Sequence, residues 1–264
     1  MKIGLFLPNL GLPLEEALDT ACEIGVDGIQ LWNVGGELDP DNMTPEFRHS
    51  FVKKLESRKL TISALCGHQD FVDFNGSAER IAKFNKILDL SVEWGAPIVT
   101  TESGRLTSGM SGEEGWRNIV HAFTMMAHYG EKCGAYVAVE PSGACLVANE
   151  TDALRLIEDV GSPNLKINLD PANLVMFGKN PINGVKKLGT HIVHTHAKDG
   201  WRRNGINEET PVGKGDVDWL AYLKALKEVN YQGFLCLERE KGPSPINDMK
   251  QGKEYLAALL AELK

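Results

Sequence analysis

Eight short apolar runs recur along the chain, each followed by a stretch with helical spacing, and this rhythm restricts the fold more than any other feature. The runs lie at 2–7, 28–32, 61–67, 97–102, 136–141, 165–170, 192–198 and 233–238, starting 26 to 41 residues apart. Between and after them, helical patterns lie at 13–25, 44–59, 77–95, 112–133, 149–160, 181–189, 217–229 and 247–263. Strand and helix alternating eight times predict an α/β fold, a (β/α)8 TIM barrel with parallel strands inside and helices outside. An open doubly wound sheet commonly carries a Gly-rich phosphate-binding turn after its first strand. Here that turn reads Pro8-Asn9-Leu10-Gly11-Leu12-Pro13. No linker, low-complexity tract or shift in composition divides the sequence, so residues 1–264 are predicted to form a single domain. The punctuation agrees with the helices. Thr44-Pro45-Glu46 reads as N-cap, first-turn proline and first-turn acid, Asp218 as another N-cap, and Gly25, Gly95, Gly134 and Gly161 as stops.

The net charge of -8, with no lysine- or arginine-rich block, disfavours a nucleic-acid partner, since tracking phosphates needs a basic excess. Five scattered cysteines without a CxxC pair fit a reducing compartment. The N-terminal apolar run is broken by Pro8, and no segment approaches the ~20 apolar residues of a membrane span. A cytoplasmic protein with no membrane partner is expected, and a homo-oligomer remains open.

In a barrel of this kind the active site lies where the strands end at their C-terminal side. The fifth strand ends Val139-Glu140-Pro141, the sixth Leu169-Asp170-Pro171, and the eighth Leu237-Glu238-Arg239-Glu240. The seventh carries His194, His196 and Lys198 on one face, because alternate residues of a strand point the same way. Any one of these acids could simply cap a helix or pair with a lysine. Three carboxylates meeting at one mouth would repel without a cation. With His196 they suit a hard or borderline divalent ion: Mn²⁺, Mg²⁺ or Co²⁺ by preference, with Zn²⁺ also compatible.

The segments VAVEP (137–141), NLDPAN (168–173), HTHAKD (194–199), PVGKGDVDW (211–219) and GFLCLERE (233–240) resemble the xylose isomerase-like TIM-barrel family of sugar and sugar-phosphate isomerases and epimerases, related to apurinic endonucleases. The first half matches mainly in its rhythm. The resemblance implies one divalent metal on Glu140, Asp170, His196 and Glu238. It also implies Glu140 and Glu238 as the two bases that move a proton next to a carbonyl through a metal-stabilised enediolate. Where the epimerase branch often has a histidine three residues after the metal-binding Asp, this chain has Asn173, which can bond a hydroxyl but cannot shuttle a proton. His68, Asn173 and Lys198 are expected to contact the substrate, a small sugar or sugar phosphate. His194 is expected to pack deeper in the pore. Asp199 is expected to fix a histidine tautomer or the loop turn, and Glu102 to be structural or paired with Arg105. Trp32, at the end of the second strand, and Trp116 could wall the pocket or pack between helices, and core packing is the expectation for both. The loop 200–215 reads as a lid or solvated loop whose Arg202, Arg203 and Lys214 offer charge to an anionic tail. Expulsion of a leaving group from the same intermediate would instead make the chain a metal-dependent lyase or dehydratase on a keto-sugar or dehydroshikimate-like acid. A non-catalytic binding barrel would have no need of two flanking bases.

Overall fold

The computed structural model describes residues 1–263. Among them, the strands are β1 (Lys2–Phe6), β2 (Gly28–Trp32), β3 (Thr61–Cys66), β4 (Ile98–Thr101), β5 (Tyr136–Val139), β6 (Leu165–Leu169), β7 (Ile192–Ala197), β8 (Asp199–Arg203), β9 (Ile206–Thr210) and β10 (Phe234–Leu237). β1 to β7 and β10 close into a parallel barrel in the cyclic order β1-β10-β7-β6-β5-β4-β3-β2. The helices are α1 (Leu14–Ile24), α2 (Pro45–Ser57), α3 (Ser77–Glu93), α4 (Gly112–Cys133), α5 (Glu150–Val160), α6 (Pro171–Met176), α7 (Pro181–Leu188), α8 (Trp219–Glu228) and α9 (Pro245–Glu262). The eight expected strands and eight expected helices are all present. α9 starts at Pro245 rather than 247, because proline's fixed φ and missing N–H suit the first helical turn. No helix among the described residues is long and apolar enough to cross a membrane.

Capping chemistry accounts for the helix ends. Thr44 Oγ1 accepts from Phe47 N at 3.2 Å and Asp218 Oδ1 from Ala221 N at 3.0 Å. Gly25, Gly134 and Gly161 sit just past α1, α4 and α5 at φ of 77°, 85° and 68°, the left-handed conformation that glycine adopts without a Cβ clash.

Most of the apolar core is the sleeve between strands and helices, where Leu18, Phe51, Phe84, Phe123 and Tyr222 are fully buried. A separate small cluster, Phe6, Cys66 and Cys236, lies apart from it. Beside this cluster are buried polar groups: Gln30, Ser63, Thr100, Asn168, His194 and His196. They bond to one another, which offsets the cost of burying them.

Two features depart from the expected layout. α6 is an additional helix of six residues, started by Asp170. The stretch expected as a loop at 200–215 instead begins with the antiparallel hairpin β8–β9, turning at Asn204 and Gly205, both at positive φ. The hairpin is fixed at both ends. Asp199 Oδ1 accepts from Gly200 N (2.8 Å) and Val217 N (3.2 Å), while Oδ2 accepts from Gly213 N (2.8 Å) and Trp219 Nε1 (2.9 Å). So Asp199 holds the loop turn, and it bonds no histidine ring. At the far strand, Glu209 Oε1 accepts from Arg239 Nη1 (3.0 Å), Glu240 N (2.9 Å) and Lys241 N (3.3 Å), just beyond β10.

Asp199→Asn replaces one of two acceptor oxygens by an amide NH₂, leaving two buried donors facing another donor. Each such loss costs about 1–3 kcal/mol, so urea unfolding is expected to show destabilisation of about 2–6 kcal/mol. A change within about 0.5 kcal/mol, the range of a neutral surface substitution, would remove Asp199 from this structural role.

Candidate metal centre

Glu140, Asp170 and Glu238 each stand one residue beyond the end of β5, β6 and β10, and His196 lies near the end of β7. These four strands are consecutive in the ring, so their ends share one arc of the barrel mouth. Each residue is buried and offers one donor atom, and the four atoms lie within 4.8 Å of one another. From His196 Nδ1 the distances are 2.9 Å to Glu238 Oε2, 3.4 Å to Glu140 Oε2 and 3.9 Å to Asp170 Oδ2.

Local structure aims each candidate ligand. Asp170 is the N-cap of α6, with Oδ1 accepting from Ala172 N (2.7 Å) and Asn173 N (3.1 Å). Its second oxygen, Oδ2, has no hydrogen-bond partner and turns to the cluster. Helix α6 in turn sets Asn173, whose Nδ2 donates to Glu140 Oε1 at 2.9 Å. Asn168 Nδ2 donates to Glu140 Oε2 at 2.8 Å, so Glu140 is gripped at both oxygens. His196 Nδ1 and Glu238 Oε2 also lack a hydrogen-bond partner, for their 2.9 Å approach does not have hydrogen-bond alignment. Three buried, unsatisfied donor atoms converging beside a fourth carboxylate are what a divalent cation would satisfy, and the residues fit one.

The electrostatics point the same way. Burial, reinforced by Glu238 and Glu140 and opposed by Lys198 and His196, pushes the Asp170 carboxyl up to about 7. Burial would also raise Glu238, but His196 and Lys198 prevail and hold it below the usual carboxylate range. Burial would lower His196, yet Glu238 and Glu140 raise it well above an ordinary imidazole. The protein groups alone leave the acids under-compensated, and Asp170 gives up its proton less readily than an ordinary carboxyl.

The remaining sequence candidates divide around this cluster. His68 Nε2 lies 4.0 Å from Glu140 Oε2 and is itself unpartnered. Burial disfavours its charge, but the Cys66 sulfur, Glu140 and Glu102 outweigh it and raise His68 to about 10. Lys198 reaches the cluster, 3.6 Å from Glu238 Oε2, while donating to Glu240 Oε1 at 2.7 Å. His194 stays deeper, bonded through Nδ1 to Asn168 Oδ1 (2.9 Å) and through Nε2 to Ser63 Oγ (3.3 Å). Burial, and then the neighbouring His196, lower it well below the usual imidazole range. Trp116 is buried, with Nε1 on Asp159 Oδ2 (2.7 Å) and Arg155 over its ring. Trp32 does not pack between helices as expected. It is 37% exposed and stands edge-on to His68, 5.8 Å between ring centroids. It also borders a cleft of about 180 Å³ lined by Leu7, Pro8, Leu12, Leu31 and Leu38. Among the cations expected to hold an anionic tail, Arg203 is paired with Asp216 and Arg202 donates to Met176 O at 3.3 Å, while Lys214 is exposed. The polar layer that supports the site, Gln30, Thr100 and Asn168, was missed from sequence. Its signal is single polar residues inside apolar runs such as GIQLW.

Residues 18–259 match the model of the xylose isomerase-like TIM barrel family. An inosose dehydratase of Clostridium botulinum (strain Eklund 17B) is 30% identical, over 95% of this chain and 91% of that protein. A fructoselysine 3-epimerase of Escherichia coli O157:H7 is 23% identical, over 90% of each. The crystal structure of a xylose isomerase domain protein from Planctomyces limnophilus superposes with a TM-score of 0.82 at 26% identity, covering 99% of this chain and 97% of that one. Fold, ring of strand ends and sequence agree, and the chain belongs to the xylose isomerase-like TIM-barrel family.

Proposed function

We propose that the protein is a divalent-metal-dependent isomerase or epimerase of a small sugar or sugar phosphate, acting by proton transfer next to a carbonyl. The observation that carries this reading is the convergence of Asp170 Oδ2, His196 Nδ1 and Glu238 Oε2, all buried and unpartnered, beside Glu140. Glu140, Asp170, His196 and Glu238 would hold the ion, with Mn²⁺, Mg²⁺ or Co²⁺ best suited to an oxygen-rich set and Zn²⁺ compatible. A bound cation of this kind supplies Lewis acidity, which polarises a carbonyl and acidifies the neighbouring C–H.

The chain's own groups do the rest. Glu140 and Glu238, on opposite sides of the His196 ring nitrogen in the ring of strands, take and return the proton. Asn168 and Asn173 hold Glu140 by both oxygens, so its carboxylate keeps one orientation while it works. His68 faces Glu140 across 4.0 Å and offers a ring N–H to a substrate oxygen. Lys198, steadied by Glu240, offers a second donor, and Asn173 a neutral one for a hydroxyl. Trp32 gives the mouth an apolar wall against which the non-polar face of a sugar can lie. The second reading is a dehydratase, favoured by the 30% identity to the inosose dehydratase and by the unpartnered His68 Nε2 beside Glu140, placed to assist a departing hydroxyl.

Incubation with Mn²⁺ and a panel of ketoses in D₂O is expected to place solvent deuterium on carbon. Release of water with formation of an unsaturated product would decide for the dehydratase. Glu140→Gln and Glu238→Gln are each expected to lower turnover by about 10²–10⁴-fold, the usual worth of a general base, with circular dichroism unchanged. Substantial turnover in either variant would remove that residue from the chemistry. Mn²⁺ is expected to raise the thermal midpoint with concentration, stabilising by about 2.7 kcal/mol at a hundred times its dissociation constant, and EDTA to reverse the shift. A midpoint indifferent to Mn²⁺, Mg²⁺, Co²⁺ and Zn²⁺ would end the metal reading.

A further inference from the structure

β2 carries one polar side chain into the barrel, Gln30, and it is fully buried. Its Oε1 lies 2.9 Å from His196 Nε2, and its Nε2 donates to Thr100 Oγ1 at 2.8 Å. Thr100 sits on β4, and its own hydroxyl points to Leu65 O at 3.4 Å, leaving the oxygen free to accept from Gln30. The Cys236 thiol lies 3.4 Å from Gln30 Oε1 and donates to it in this orientation of the amide. Turned over, the amide would set its NH₂ against the thiol, and Thr100 would have to turn its hydroxyl away from Leu65 O to meet the amide oxygen. Asn168 Nδ2, which gives one hydrogen to Glu140 Oε2 at 2.8 Å, also lies 3.3 Å from His196 Nε2, a longer approach than the 2.9 Å of Gln30 Oε1.

We propose that Gln30 is the positioning residue for His196: by accepting the Nε2–H it keeps the single ring proton on the barrel side and turns the Nδ1 lone pair toward Glu140, Asp170 and Glu238. The need for such a residue is local. A neutral imidazole carries one proton and can place it on either nitrogen. Glu238 Oε2, 2.9 Å from Nδ1, would attract that proton and so close the nitrogen to a cation. Gln30 competes from the other end of the ring with a neutral acceptor, so it selects the tautomer without adding a fourth negative charge. Phe6, stacked on the ring at 6.2 Å between centroids, limits rotation out of this plane. A histidine's outer N–H partner commonly alters metal affinity by about 10–100-fold.

This inference rests on reading the four residues as a metal centre, and the test separates the two. Co²⁺ is titrated calorimetrically into wild type, Gln30→Met and Gln30→Glu, and the exchangeable ring N–H of His196 is followed by proton NMR in the Co²⁺-loaded proteins. Gln30→Met, similar in size and unable to accept, is expected to bind Co²⁺ about 10–100-fold more weakly and to lose the slowly exchanging N–H. Gln30→Glu retains an acceptor and is expected to keep the resonance and to bind more tightly than Gln30→Met. Should Gln30→Met fail to fold, Thr100→Val frees the amide to turn and is expected to weaken Co²⁺ binding in the same direction. Wild-type affinity and an unchanged N–H resonance in the folded variants would overturn the role of Gln30. Failure of the wild type to bind Co²⁺ would overturn the metal centre itself, and this inference with it.

Discussion

Like charge brought together in a dry place is the constraint to which the rest of the molecule responds. A closed ring of parallel strands delivers the ends of β5, β6, β7 and β10 to one arc, and that arc carries three acids and an imidazole. Carboxylates at such separations repel far more strongly than they would in water. The surroundings offset this in several ways. Asn168 and Asn173 donate to Glu140, backbone amides donate to Asp170, and Lys198 stands beside Glu238. The compensation is incomplete, because a donor atom on each of Asp170, His196 and Glu238 is left without a hydrogen-bond partner. That residual imbalance, rather than any motif, is the physical argument for a cation.

Asp170 shows that structural and functional explanations of one residue need not compete. Read alone, an acid at a strand end is most simply a helix cap, and it does cap α6 through Oδ1. The same carboxylate presents Oδ2 to the cluster. Each oxygen has one job, and capping fixes the plane in which the other must point. Because α6 also carries Asn173, the cap transmits its geometry to Glu140 as well. One side chain thus organises two of the four candidate ligands.

The barrel was legible because its pattern of strand and helix is repeated eight times. The convergence of the four candidate ligands was legible because they occupy equivalent places on neighbouring strands. What escaped was whatever depends on contacts between distant segments. Gln30 is one uncharged residue in an apolar run, and its meaning comes only from His196, 166 positions away. Trp32 is the last residue of its strand, so the sequence puts it at the mouth, but whether its ring packs between helices or faces the site is set by contacts such as that with His68. The hairpin was missed for a different reason. Asn204-Gly205 is a strong two-residue turn signal, but the flanks Asp199–Arg203 and Ile206–Thr210 are polar and lack the alternation that marks a strand.

The anchoring of that hairpin has a mechanical result. Asp199 follows the strand bearing His196, while Glu209 grips the backbone immediately after Glu238, so one short ribbon splints two adjoining staves of the barrel at their open ends. The spread between those staves is therefore set by a covalently continuous brace as well as by sheet pairing. Lengthening the ribbon at its tip, near Asn204, would leave the brace intact. An inserted residue between the tip and Glu209 would shift the register of the grip and pry the two staves apart.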